Sequence, residues 1–296
     1  MAVTPATFVP AQRAFLENAR KIASVALDRT EPLYRFLRYA SPLEQQSVHD
    51  ALVHRYFRFA RPLDFNDPFD CRPHLYVPGL LAICRRRWFE RETMKIVRRD
   101  YPNNPAAEQS ALAELAAHPM DGHVEQAELS VRNTLLTSQR MLCLCGDLEC
   151  VLMWAYYADR HRGVAIHLSP YVWPIAAGMQ VSYTDRYPAL PLSDRGDRRK
   201  ITRAFVLTKA RVWRHEAEYR VLVQDEDPQG FAVDWIDQDT ARLPETSVTG
   251  VTVGSLMEDP AVQQVIALAQ AATPPVPVYR AITQRKRFQL RIERIA

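Results

Sequence analysis

Glycine is scarce in this chain, with 9 among 296 residues, while proline reaches 21. Connections should therefore be short and stiff. No Gly-x-Gly-x-x-Gly or Gly-x-x-x-x-Gly-Lys occurs, so neither a Rossmann nor a P-loop phosphate cradle has sequence support. Apolar runs long enough to cross a bilayer, roughly 18–20 residues, are also missing. The segment Met1 to Pro10 lacks the basic start, apolar core and small-residue cleavage site of a secretory signal, which makes a cytoplasmic location the expectation. The cysteines number five, Cys71, Cys84, Cys143, Cys145 and Cys150. An odd count in a chain of this size suits a reducing compartment better than a disulfide framework. Charge of one sign is not in excess. The net charge of +4 does not by itself point to nucleic acid, although it would not discourage an anionic ligand.

The rest of the composition, 47% apolar and 24% charged, is ordinary for a folded protein. Residues 10–28 read as an amphipathic helix, an N-terminal extension over residues 1–30. Leu33 to Tyr39 reads as a strand. Ser41-Pro42-Leu43-Glu44 has the form of a capping box opening a helix to about His54. Arg55 to Phe59 is a short strand, followed by the polar turn Phe65-Asn66-Asp67-Pro68-Phe69-Asp70. A helical pattern over about 78–138, broken at Pro102 to Pro105, looks like an insertion. Strand signals then dominate: 141–145, 163–168, 179–183, 219–224, 231–235, 248–254, 276–279 and 288–292. Helices near 149–160, 198–207 and 259–271 separate some of them. Residues 31–296 are expected to form a single α+β domain.

The densest chemical signal is Trp213-Arg-His-Glu216-Ala-Glu218-Tyr-Arg220, which leads into Val221-Leu222-Val223. On an extended backbone Glu216, Glu218 and Arg220 share one face. Burying an unpaired carboxylate is very costly. These charges therefore either form an ion-pair network with Asp67, Arg220 most simply taking one of the glutamates, or they face a cleft. A second cluster is Leu152-Met153-Trp154-Ala155-Tyr156-Tyr157. Three aromatics so close on a short helix cover more than one face, and Tyr157 is the better pocket wall. Cys143-x-Cys145-x4-Cys150 could hold zinc, but it lacks paired Cys-x-x-Cys spacing, and small core residues explain it as well. No metal is expected. Cysteine–histidine nucleophilic chemistry has no histidine nearby in sequence to support it. The arginines at 85–87, 91, 98 and 99 could track phosphates, or could form a solvated helix face with Glu90, Glu92 and Asp100.

Leu33-Tyr-Arg-Phe36, Phe65-Asn-Asp-Pro-Phe-Asp70, Leu152-Met-Trp-Ala-Tyr-Tyr-Ala158 with Gly163, and Lys209, Trp213, Glu216, Glu218 and Arg220 together resemble a bacterial domain of unknown function, the DUF 2971 family, over roughly residues 31–290. The order of motifs in that family is similar to the ADP-ribosyltransferase plan. The resemblance implies a split mixed sheet and NAD as substrate, with ADP-ribose passed to a protein or nucleic-acid acceptor or to water. It also implies Glu218 and Glu216 as catalytic residues. Arg35, Tyr157, Trp154, Asn66, Asp67 and Arg220 would then lie around the dinucleotide. Arg35 stands where some relatives of that plan carry histidine, and Met141-Leu-Cys-Leu-Cys145 stands where others carry Ser-Thr-Ser. The alternative is a non-catalytic module binding a nucleotide or nucleic acid, in a bacterial defence or regulatory system.

Overall fold

A computed structural model describes residues 8–79, 81–117, 120–224 and 233–296. The chain is a mixed α+β protein organised on one large sheet. Its strands are β1 (Leu33–Leu37), β2 (Gln139–Cys145), β3 (Val164–Leu168), β4 (Met179–Gln180), β5 (Glu218–Gln224), β6 (Val248–Val253), β7 (Val278–Thr283) and β8 (Leu290–Arg294). Across the sheet they run β8-β7-β6-β3-β1-β2-β5-β4. All neighbours are antiparallel except β6 and β7, which are parallel and joined through a helix at Asp259–Ala271. The central strand β3 is buried at every position, which is why Val164-Ala-Ile-His-Leu168 reads as an unbroken apolar run around one histidine.

Alternation divides the side chains between two faces. Leu142, Leu144, Tyr219, Val221, Val223, Ile166 and Val251 point to one core, shared with Val48 and Leu52 from the helical segment 42–54 and Val262 and Val265 from the helix before β7. The opposite face is covered in two blocks. One joins Met141 and Leu222 to Leu16, Phe89, Leu115, Leu135 and Phe205. The other joins Tyr34 and Phe36 to Met153 and Trp154. Between these blocks the sheet splits. β1 pairs with β3 along its whole length, from Leu33 opposite Leu168 to Leu37 opposite Val164. Towards β2 its pairing is confined to Tyr34 opposite Cys145. Further along β2, Ala60 exchanges both backbone hydrogen bonds with Met141, at 2.8 and 2.9 Å.

The helices are α1 (Pro10–Arg20), α2 (Pro42–His49), α3 (Ala82–Asp100), α4 (Pro105–Ala117), α5 (Met120–Ser138), α6 (Val151–Tyr157), α7 (Arg198–Ile201) and α8 (Asp259–Ala271). The capping box opens α2: the Glu44 amide donates to Ser41 Oγ at 3.3 Å and the Ser41 amide to Glu44 Oε2 at 2.8 Å. α2 then widens into a turn with i→i+5 hydrogen bonds over Asp50–His54. α3, α4 and α5 occupy the stretch with the helical pattern, and the chain breaks at Pro102 to Pro105 between the first two. Among the described residues no helix is long and apolar enough to cross a membrane.

Several boundaries differ from the sequence reading. The first helix ends at Arg20 because the chain is drawn into the sheet: the Gln180 amide donates to Ser24 O at 2.9 Å, and Val25 bridges Met179. The last two strands begin later than expected. Arg285–Phe288 forms the hairpin turn between them, closed by the Gln284 amide on Gln289 O and a left-handed Lys286, φ 65°. The expected strand at 231–235 is seen at Asp234–Trp235, and positions 231 and 232 lie outside the described residues.

Two positions give direct tests of this packing. A Cβ on Gly163 would stand 2.2 Å from the Leu37 carbonyl oxygen and 2.8 Å from the Ala158 carbonyl carbon, both backbone atoms. Gly163→Ala is therefore expected to cost about 3 kcal/mol or more, read as a fall in denaturation midpoint at constant m. His167 is buried on β3, with Nε2 2.7 Å from Thr252 Oγ1 and its ring stacked on Tyr279. Burial lowers its pKa from 6.5 to about 4. The unfolded chain thus binds more protons between those values, and stability falls as pH drops from 6.5 towards 4. The loss amounts to about 3 kcal/mol. His167→Phe should flatten that part of a Tm-against-pH curve.

Candidate functional site

The split between β1 and β2 opens a cleft of about 340 Å³. Its lips and floor are drawn from separate elements: Tyr34 and Arg35 on β1, Asp64, Phe65 and Asn66 in the segment after the short strand Tyr56–Arg58, Cys143 and Cys145 on β2, and Met153 and Tyr157 on α6. Asp70, Lys209, Glu216, Glu218 and Arg220 close the bottom.

Local conformation brings the two glutamates together. Glu216 ends a 3-10 turn, Arg211–Glu216, and is not on the strand. Ala217 then adopts the left-handed region, φ 41° and ψ 49°, before β5 begins at Glu218. A non-glycine residue held there costs roughly 1–2 kcal/mol. It is held by the Gly146 amide, which donates to its carbonyl at 2.8 Å. Strand alternation accounts for Glu218 and Arg220 sharing a face. The bend at Ala217, which the spacing does not reveal, accounts for Glu216.

Arg220 is fully buried and carries two carboxylates. Its Nε and Nη2 donate to Glu218 at 2.8 and 2.9 Å, and Nη1 and Nη2 to Asp70 at 2.9 and 2.5 Å. Nη1 also donates to Val206 O at 2.6 Å, and the guanidinium lies over the Phe65 ring. Lys209, on the short strand Thr208–Ala210, donates to Glu216 Oε2 at 2.5 Å. It lies 3.5 Å from Glu218 Oε2, 3.6 Å from Asp70 Oδ2 and over the Trp213 ring. The Tyr157 hydroxyl donates to Glu216 Oε1 at 2.6 Å, and the Asn66 side chain hydrogen-bonds the same hydroxyl. The Tyr183 hydroxyl accepts from the Glu218 amide at 2.9 Å.

The electrostatics follow from this wiring. Burial by itself would raise the Glu218 carboxyl, but the Arg220 and Lys209 charges outweigh it and hold the group at about 2. Burial would likewise lower Lys209 and Arg220, and the facing carboxylates reverse that and raise both. Tyr157 is raised, first by burial and then by Glu216, so its hydroxyl keeps its proton as a donor. Cys143 and Cys145 are both raised by burial and stay thiols, and Cys143 hydrogen-bonds Glu218.

The two glutamates differ in what they have left to offer. Both Glu218 oxygens accept from Arg220, and its remaining capacity is shared between Lys209 and Cys143. Each Glu216 oxygen has one strong donor, Tyr157 or Lys209. A carboxylate oxygen can accept about two hydrogen bonds, so Glu216 retains acceptor capacity. Arg35 stands on the opposite lip. Its Nη1 donates to Cys143 O at 2.8 Å, a carbonyl that the parted β1 strand leaves unpaired, and burial lowers its pKa. Among the described residues no carboxylate lies within ion-pair distance of it. Three carboxylates in the floor face two directly paired cations, and Arg35 is the third cation of the cleft.

Of the residues singled out from sequence, Arg35, Asn66, Tyr157, Glu216, Glu218 and Arg220 meet in this cleft. Two do not. Trp154 is fully buried in the core, edge-on to Phe36, with its Nε1–H on Leu148 O at 2.7 Å. Trp154 is the aromatic of α6 that faces the core. Tyr156 points to solvent and Tyr157 leans into the cleft. Asp67 is buried but caps its own turn, accepting from the Phe69 amide at 2.9 Å, as an Asx turn does. Asp70, three residues on, is the aspartate that joins the ion-pair network. Arg220, with two carboxylates bound, has no fork left for a pyrophosphate. Sequence reasoning named neither Asp70 nor Lys209 as a site residue, although both lie within the motifs quoted above.

The insertion's basic residues are mostly neutralised at the surface. Arg86 pairs with Glu90, Lys95 with Glu92, Arg98 with Glu108 and Arg99 with Asp100. The cysteines are free. Among the described residues, His49, Asp50 and His54 on the wide turn after α2 are the group whose side chains could converge on a metal ion. They lie outside the residues lining the cleft.

No family model, curated protein or solved structure matches this chain.

Proposed function

We propose that the cleft binds NAD, and that the protein transfers ADP-ribose from it to a protein or nucleic-acid acceptor, or hydrolyses it. In this reading the parted β1 and β2 strands are the split sheet of an ADP-ribosyltransferase-like fold, and the chain belongs with the DUF 2971 proteins it resembles. One observation carries the proposal: a buried carboxylate with acceptor capacity, Glu216, and a cation without a carboxylate partner, Arg35, face one cleft across the split.

The chemistry suits those groups. Breaking the nicotinamide–ribose bond leaves the electron pair on nicotinamide and an oxocarbenium-like ribose, as in glycoside hydrolysis. A fixed carboxylate beside the ribose stabilises that charge and accepts from its hydroxyls. Glu216 takes this role ahead of Glu218, whose oxygens are engaged by Arg220, Lys209 and Cys143. Tyr157 offers a ring face for stacking and, through its hydroxyl, fixes Glu216. Arg35 offers its remaining N–H groups to the pyrophosphate. The acceptor, an alcohol, amine or water, adds to the ribose carbon and gives its proton to a carboxylate or to solvent.

Release of nicotinamide from labelled NAD, measured alongside binding by calorimetry, tests this. Wild type should bind and turn over, while Glu218→Gln loses chiefly stability. Absence of both NAD binding and turnover, with protein, nucleic acid or water as acceptor, would sink the proposal. A second reading, a nucleotide-binding module without catalysis, is favoured by the engagement of Glu218 by Arg220, Lys209 and Cys143 together. It predicts NAD binding with no nicotinamide release.

A further inference from the structure

The hairpin between β7 and β8 carries a feature that the cleft does not use. Residues 285–289, Arg-Lys-Arg-Phe-Gln, are all exposed, and the Phe288 side chain stands wholly in solvent. Among the described residues no carboxylate pairs with Arg285, Lys286 or Arg287. The paired arginines of the helical insertion differ in this respect. Beneath the tip lies a cavity of about 620 Å³, lined by His161, Leu256, Thr283, Gln284, Phe288 and Leu290 among others, and, among the described residues, by no acidic side chain. The imidazole of His161 contributes to the wall, its Nδ1 enclosed and without a hydrogen-bond partner among the described residues. Arg160 and Arg162, both exposed, flank that histidine.

A fully exposed phenylalanine is unfavourable for folding alone and is a ready stacking surface for an unpaired base. Three unpaired cations around it suit phosphates. The cavity adds the hydroxyl groups of Ser255 and Thr283 and the amides of Gln284 and Gln289, which can meet the polar edge of a base. A lipid headgroup would use the cations but not the cavity. A duplex would keep its bases away from Phe288. We propose that the β7–β8 tip and the cavity beneath it bind single-stranded nucleic acid, with one base against Phe288 and the backbone on Arg285, Lys286 and Arg287. α6 separates this site from the cleft: Val151 lines the cavity, while Met153 and Tyr157 line the cleft. Binding here requires nothing of NAD, so the two sites are tested separately.

Fluorescence anisotropy with a labelled thymidine oligonucleotide of about 10 residues is the direct test. Wild type should bind it saturably, and more weakly as salt rises. Phe288→Ala should weaken binding about tenfold with an unchanged salt slope. The double variant Lys286→Glu/Arg287→Glu should lose binding. Both variants change exposed side chains, so their melting temperatures should match wild type, confirming that folding is not the cause. The proposal is overturned if no saturable binding occurs, if Phe288→Ala binds as wild type does, or if a duplex of equal length binds as tightly. It is equally overturned if vesicles containing anionic phospholipid are preferred, or if charge reversal at Arg85 and Arg87 of α3 abolishes binding while the hairpin variants do not.

Discussion

Arg220→Met is expected to destabilise the protein by about 3–5 kcal/mol, the cost of removing one partner from a buried ion pair. The guanidinium is fully buried and supplies donors to Asp70, Glu218 and the Val206 carbonyl. Without it, Asp70 and Glu218 share only Lys209, which sits 3.5–3.6 Å from each. A denaturant titration should show a large fall in midpoint at constant m. The pH dependence should also change sign. In wild type, Glu218 is held at about 2, below its ordinary value of 4.5, so its contribution is present above pH 4.5 and is lost as pH falls towards 2. In Arg220→Met the carboxylate is desolvated without its principal partner, its pKa rises, and acid should partly restore stability. The triple variant Arg220→Met/Asp70→Asn/Glu218→Gln should recover much of the loss, because neutral groups replace the stranded charges.

The second large effect falls on chemistry. Glu216→Gln is expected to lower nicotinamide release from NAD by about 10²–10⁴, the range for a positioned carboxylate. Folding should survive better than in Arg220→Met. A glutamine oxygen can still accept from Lys209 or Tyr157, and Lys209 keeps Glu218 and Asp70 nearby. Turnover, NAD affinity and melting temperature measured on one preparation separate the outcomes. Lost turnover with retained binding supports the role given to Glu216. Turnover equal to wild type would remove Glu216 from the reaction.

Local signals in the sequence proved informative where the physics is local. The Ser41–Glu44 box opens α2, and the alternation of Leu142 and Leu144 with Cys143 and Cys145 places the thiols on the cleft side of β2. The arginine and second glutamate of Glu216-Ala-Glu218-Tyr-Arg220 share a face because β5 is extended. What was not legible depends on contacts far apart in the chain. Asp70 reaches Arg220 across 150 residues, and nothing in Asn66-Asp-Pro-Phe-Asp70 says which aspartate turns inward. Asp67 is buried as well, but one of its oxygens caps its own turn and it does not reach Arg220. Nor could the pattern on α6 show that Trp154 is core and Tyr157 is cleft. That division is set by which side Phe36 and Glu216 approach from. The left-handed Ala217, which brings Glu216 to Lys209, has no sequence signature, since alanine does not favour that region.

The central claim is that the cleft holds a ligand and is more than a brace for the sheet. Arg35 decides it most directly, because it lines the cleft outside the carboxylate network and donates to the Cys143 backbone carbonyl. Calorimetric titration of NAD into wild type and Arg35→Ala, with melting temperatures taken in parallel, is the measurement. The account predicts saturable one-to-one binding by wild type, at least tenfold weaker in Arg35→Ala, the loss of one charge-assisted contact being worth about 1.5–3 kcal/mol. No binding by folded wild type, or equal binding by the two proteins, would contradict it.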